Sequence, residues 1–153
     1  MSTENLPRAT FLKRFLAYFY DVLLSVSLYV FAGIIFFCIF SVLIYFNLIE
    51  KNVDQHNIDV LMSSGFYILC NELFKLSFVV FYFFYSFTKI GQTVGMKAWN
   101  LKLQTVQGRL PSYISVLVRL FFACGGVAIL TVCFNRHLLA IHDILSQTEI
   151  VQL

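Results

Sequence analysis

The chain has 153 residues and is 59% hydrophobic, 18% aromatic and only 12% charged, with 18 Phe and 8 Tyr. That is half the charge of a soluble domain and more aromatic surface than one small core can bury, which excludes a disordered chain and an ordinary water-soluble globule. The formal net charge of +3 is scattered beside apolar segments rather than gathered in one patch, so it gives no footprint for nucleic acid.

A small integral membrane protein remains, and the length fits a single domain over residues 1–153. Val22 to Ile49 is 28 residues without one Asp, Glu, Lys or Arg. A bilayer core needs roughly 20 such residues. A cleaved signal peptide has an apolar region of only about 7–15 residues closed by a small-residue site. No A-x-A pattern closes this run, so an uncleaved helix is expected over about 18–46. A second span is expected over about 66–88. Leu76 to Thr88 is too short to cross alone, so this helix must reach back through Lys75, Glu72 and Asn71. The third apolar stretch, 113–134, carries one charge, Arg119, and a Gly125-Gly126 pair.

Flanking charge orients these spans, because short cytoplasmic loops are enriched in Lys and Arg. Arg8, Lys13 and Arg14 lie before the first span, whereas Glu50, Asp54 and Asp59 outnumber Lys51 after it. The loop 89–112 holds Lys89, Lys97, Lys102 and Arg109 with no acid. The N-terminus is therefore expected in the cytoplasm. Cys38, Cys70, Cys124 and Cys133 all lie in apolar stretches with no C-x-x-C pair, which points to neither a disulfide framework nor a zinc site.

Helical spacing then aligns the polar residues. Arg14, Tyr18, Asp21, Ser25 and Tyr29 share one face of the first helix; Glu72, Lys75, Tyr82, Ser86 and Lys89 share one of the second. Ser112, Ser115, Arg119, Ala123 and Gly126 make a small, polar face on the third. Exposing an ionised side chain at the bilayer centre costs at least about 2.5–3.5 kcal/mol, so these groups are expected to face protein. Asp21 lies roughly 7–8 Å and Arg119 roughly 10 Å beneath the same surface at 1.5 Å per residue, which pairs them. Glu72 and Lys75, three residues apart, can neutralise each other. Such pairs either fix helix register or carry a proton or cation relay. Two or three helices packed at about 8–10 Å leave no lumen, so transport would need a homo-oligomer.

In the loop, KIGQTVGMKAWNLK (89–102) fails the phosphate-loop pattern because Met96 separates Gly95 from Lys97. Gly91 and Gly95 have G-x-x-x-G spacing outside an apolar 20-mer, a poor dimer motif. An interfacial turn and short amphipathic helix, with Trp99 at headgroup depth and Lys97 toward anionic lipid, is expected instead. Leu101 to Val106 alternates as a strand, Gln107-Gly108 supplies a turn, and Arg109-Leu110 begins a return that Pro111 stops, a small hairpin-like segment. Thr148 to Gln152 is a further β-like run, and it and Leu101 to Val106 pair most simply with each other. That puts the tail in the cytoplasm. Two full crossings need about 40 residues, so 113–134 would then be re-entrant or broken near Gly125-Gly126; otherwise it is a complete span. His137 and His142 are five residues apart, about 140° around a helix, and do not converge on a metal. His142-Asp143 lacks a nucleophile. No cofactor, metal or enzymatic chemistry is expected.

Arg14 with Ala17 and Asp21, GQTVGMKAWNLKL at 91–103, Arg119, and HDILSQTEIV at 142–151 together resemble the RDD family of bacterial membrane proteins, named for one Arg and two Asp. The matching positions are Arg14, Asp21 and Asp143. The sequence departs from that pattern at Met96, where the family usually has Lys, and at Asn100, where it has Gly. The resemblance implies a bacterial inner-membrane protein of a family suggested to act in transport, with members proposed to exchange sodium or other monovalent cations for protons. Two functions are thus expected as alternatives. In the first, an oligomeric exchanger, Asp21 carries the proton or ion, Arg119 is its counter-charge, and Arg14 with Asp143 forms a cytoplasmic latch, with Glu72 and Lys75 secondary. In the second, a structural or assembly partner of another membrane protein, the same charges serve register alone. The expected fold is an all-α membrane bundle with two full spans, a third complete or broken helix, and the small cytoplasmic hairpin.

Overall fold

Between Phe11 and Tyr45 there is no proline and a single glycine, Gly33, so nothing interrupts an apolar helix. The computed structural model describes residues 9–52, 54–105, 107–123 and 148–152, and in it this segment is one helix, α1, Phe11–Tyr45. It starts ahead of the expected residue 18, because Arg14, which would stop a lipid-facing helix, is buried and bonded to backbone carbonyls. Asn47, at φ 56°, ends it, with Leu48 N donating to the Leu43 carbonyl at 3.0 Å; asparagine takes this left-handed conformation more readily than other non-glycine residues. A short helix α2, Asn57–Ser63, leads into α3, Gly65–Tyr85, which continues as a π-helical turn over Ser86–Ile90. There Thr88 Oγ1 donates to the Phe84 carbonyl at 2.7 Å, drawing an acceptor from the helical ladder where the turn widens. Both Phe11–Tyr45 and Gly65–Ile90 are long and apolar enough to cross a membrane. On α1 the four-apart stripe Val26, Val30 and Ile34 is more than half exposed, a surface suited to lipid.

The contacts gather into two compact units, and both long helices contribute to each. In the unit Leu24–Phe81, Phe40, Val60 and Leu61 are buried among Phe36, Phe37, Ile44, Ile49 and Tyr67. Phe40 meets Tyr67 edge-on at 5.2 Å between centroids, and Phe36 tilts against Phe74 at 5.5 Å. These aromatic contacts join α1 to α3 within the unit.

The other unit joins the described residues up to Leu23 to those from Tyr82 onward. Gly91, at φ 73°, closes the π turn, its N–H donating to the Ser86 carbonyl at 2.8 Å. A Cβ there would sit 2.7 Å from Leu110 Cδ2, so both conformation and space call for glycine. The short helix expected in this loop is α4, Val94–Ala98, and Asn100 at φ 51° turns the chain into strand β1, Leu101–Thr105. That left-handed turn accounts for Asn standing where the resemblance expects Gly.

Strand β1 pairs antiparallel with β2, Thr148–Gln152, in the register Leu101↔Gln152, Leu103↔Ile150 and Thr105↔Thr148. Leu101, Leu103 and Val151 are completely buried. The expected local hairpin is thus corrected. Residues 107–110 form only a turn, with Gly108 N and Arg109 O both bonded to Thr105 at 2.8 Å. Pro111 has no N–H to extend a ladder, and the partner strand is β2. Ala9 adds one more bond, N to the Ile150 carbonyl at 3.0 Å. The third apolar stretch begins as α5, Tyr113–Ala123. Cys124, the Gly125-Gly126 pair, Cys133, Arg136, His137, His142 and Asp143 lie outside the described residues.

Candidate functional site

Two residues without bulk make the site. Ala17 and Asp21 lie one turn apart on α1, and Gly95 lies on α4. A Cβ on Gly95 would overlap the Ala17 carbonyl oxygen and lie 2.9 Å from Asp21 Cγ. With only hydrogens there, α4 rests directly on the α1 backbone and brings the Gly95 N–H to 3.0 Å from Asp21 Oδ1. Thr93 caps α4, its Oγ1 accepting from Met96 N at 3.1 Å and donating to Asp21 Oδ2 at 2.5 Å. Tyr82 Oη, on α3, donates to Asp21 Oδ1 at 3.3 Å and accepts from Val94 N at 2.9 Å.

The Asp21 carboxylate, 6% exposed, thereby accepts bonds from a backbone amide, an alcohol and a phenol, all supplied by residues 82–95. The counter-charge expected for Asp21 was Arg119. Among the described bonds to this carboxylate are those from α4, its cap and Tyr82, which a close backbone approach delivers. Arg119 is also buried. Its Nη1 donates to Thr148 Oγ1 at 3.0 Å, and its guanidinium carbon stands 5.7 Å from the centre of the Phe87 ring.

Arg14 completes the buried charges of this unit among the described residues. Its Nε donates to the Ala9 carbonyl at 3.1 Å and its Nη2 to the Ile150 carbonyl at 3.2 Å. Both arginines therefore grip β2, one through its backbone and one through the Thr148 hydroxyl. Replacing Thr148 by Val keeps the shape and removes the acceptor from Arg119. The expected loss is about 1–2 kcal/mol of unfolding free energy, read from thermal melts of the full chain in micelles. An unchanged melt would detach Thr148 from the anchoring of β2.

Glu72 and Lys75 belong to the other unit. Their ion pair, Lys75 Nζ to Glu72 Oε1 at 2.5 Å, sits where the three-residue spacing puts it on α3. Tyr29 Oη donates to Glu72 Oε2, and the ammonium lies 4.4 Å from the centre of the Tyr29 ring. Asp143, the second acidic position of the resemblance, lies outside the described residues.

The residues that composition and charge did not single out are Thr93 and Gly95. Their signal was present: a hydroxyl directly before the start of a short helix, with a glycine two residues on, is a cap beside a close-packing position. Among the described residues, no three of His, Cys, Asp or Glu lie together as metal ligands.

No curated protein and no solved structure matches the chain. The model of the RDD family matches residues 8–147, which takes in Arg14, Asp21, the 91–103 loop, Arg119 and Asp143. With a match over nearly its whole length, the chain belongs to the RDD family.

Proposed function

We propose that the chain is a bacterial inner-membrane protein, N-terminus in the cytoplasm, that takes part in transport as an oligomer by exchanging a monovalent cation for a proton. The observation that carries this reading is a buried carboxylate, Asp21, set in a helix apolar enough to cross a membrane and bonded to two hydroxyl groups. Adding a proton to it removes the charge that attracts the Thr93, Gly95 and Tyr82 donors. Charge-assisted bonds are roughly twice as strong as neutral ones, so protonation loosens α4 from α1 and ties proton binding to movement. Oligomerisation supplies the pathway that two or three close-packed helices lack.

The test is cation-driven proton flux in vesicles reconstituted with the full chain, comparing wild type with Asp21→Asn. The expected result is flux in the wild type and at least a tenfold loss in the variant. Wild-type vesicles without flux overturn the transport reading, and flux unchanged by Asp21→Asn removes Asp21 from it.

A second reading, an assembly partner of another membrane protein with no transport of its own, is favoured by the way Arg14 and Arg119 both hold β2, since those charges then serve register. It predicts silent vesicles together with a stable, stoichiometric companion retained through purification from the native membrane.

A further inference from the structure

The apolar span Gly65–Ile90 has 26 residues, roughly 39 Å at 1.5 Å per residue. A hydrocarbon core is about 30 Å thick, and a bilayer with its headgroups about 40–45 Å. With this helix across a bilayer, Lys89 at its end reaches the headgroups. From there to Arg109 the chain carries four cationic side chains and no acid. Lys89, Lys97 and Arg109 are exposed and Lys102 is half-buried. Among the described residues, none of the four has a side-chain hydrogen bond or ion pair. The described acids of the same unit are engaged elsewhere: Asp21 is buried against Thr93 and Gly95, and Glu149 accepts from Gln104 Nε2 at 3.2 Å. Between these cations stand Ile90, Val94 and Leu110, which are 50%, 58% and 46% exposed. The fold draws the two kinds of residue together. A Cβ on Gly91 would stand 2.7 Å from Leu110 Cδ2 and 3.8 Å from Lys102 Cε, so both side chains lie over the residue that follows Ile90.

Cations without partners, set among exposed apolar side chains at the end of a span, match an anionic lipid surface, which offers phosphates and acyl chains side by side. A nucleic acid or an acidic protein would answer the charge and leave Ile90, Val94 and Leu110 in water. We infer that the segment from Lys89 to Arg109 is a docking surface for anionic phospholipid. Lys89, Lys97, Lys102 and Arg109 pair with headgroup phosphates, and Ile90, Val94 and Leu110 rest at the acyl boundary. Long basic side chains suit this, because their apolar stems lie along hydrocarbon while the charged ends stay at the phosphates. The negative end of a helix dipole attracts cations by itself. That accounts for Lys89, but not for Lys102 on a strand or Arg109 on a turn. Thr93 and Gly95, which hold Asp21, lie inside the same segment, so the lipid that seats it also steadies those bonds. The inference does not rest on transport, since a lipid surface seats the loop whether or not ions cross.

Trp99, the sole tryptophan, lies inside the segment as the C-cap of α4 and reports on it. The full chain is reconstituted in vesicles of equal parts phosphatidylcholine and phosphatidylglycerol, with bromine on the acyl chains of one lipid or the other, and quenching of Trp99 fluorescence is read. In about 0.1 M KCl the wild type is expected to prefer phosphatidylglycerol about tenfold, since each basic residue at an anionic surface is worth about fivefold and not all four engage one lipid. In about 1 M KCl, where screening acts over about 3 Å, the preference should fall about threefold or more. Combining Lys89→Gln, Lys97→Gln, Lys102→Gln and Arg109→Gln should bring it below about twofold. If that variant does not fold, Lys97→Gln with Arg109→Gln, both at exposed positions, should still lower it about threefold. Lys51→Gln, in the other unit, should leave it unchanged. Equal quenching by the two lipids in the wild type overturns the docking surface, as does a preference that survives high salt or the substitutions, or one that Lys51→Gln removes. Inorganic phosphate at the ionic strength of the KCl control should change nothing further. A preference that phosphate alone abolishes would assign these cations to a soluble anion and overturn the lipid surface.

Discussion

Gly95→Ala is expected to lower the unfolding free energy of the full chain by about 3–5 kcal/mol. The added methyl would overlap the Ala17 carbonyl oxygen and lie 3.0 Å from the carbonyl carbon, both backbone atoms of a long helix that has no room to give. Overpacking of this kind costs about 1–3 kcal/mol where side chains can adjust, and more where backbone meets backbone. Relief requires α4 to lift from α1, which withdraws the Gly95 N–H from Asp21 Oδ1 and loses a bond to a buried carboxylate worth about 1.5–3 kcal/mol. Gly65→Ala is the control. A Cβ there meets nothing within 4 Å, so the change should stay within about 0.5 kcal/mol. Chemical unfolding in mixed micelles measures both variants. Equal stabilities would refute the account of Gly95 as the contact that seats the loop.

The long helices were legible because they depend on composition alone: an uncharged run of 28 residues has few alternatives to a helix. The first boundary was less so. Its true start at Phe11 depends on Arg14 finding the Ala9 and Ile150 carbonyls, the second of them 136 residues away. The β1–β2 pairing was legible in two matching alternations of side chains, whereas the local return strand was overread from two residues in front of a proline. At the candidate site, the ion pair Glu72–Lys75 followed from helical spacing. The surroundings of Asp21 did not. A charge stripe points to other charges, whereas a phenol, a cap hydroxyl and a backbone amide also donate to this carboxylate. A backbone donor leaves no mark in a sequence except the glycine that lets it approach. Gly95 carries that mark, although its spacing from Gly91 is also that of a dimer motif.

Asp21→Leu, which is close in size and carries no acceptor, is expected to cost about 3–5 kcal/mol, the range for removing one partner of a buried charged network. The loss has an identifiable origin. The Thr93 hydroxyl, the Gly95 amide and the Tyr82 phenol would all lose the oxygens they now share. Asp21→Asn should cost less, about 2 kcal/mol, because its amide oxygen still accepts from Gly95 and Tyr82 while the Thr93 hydroxyl loses its charged acceptor. A double-mutant cycle separates this network from a charge pair. Asp21→Asn combined with Thr93→Val should show a coupling of at least about 1.5 kcal/mol, since the hydroxyl and the carboxylate are direct partners. The same cycle run with Arg119→Gln gives the comparison. Coupling to Arg119 with none to Thr93 would return Asp21 to the role of half an ion pair and take α4 out of the site. Coupling to Thr93 makes the carboxylate the fastening of the 82–95 segment, so that any proton reaching Asp21 acts first on that segment's hold on α1.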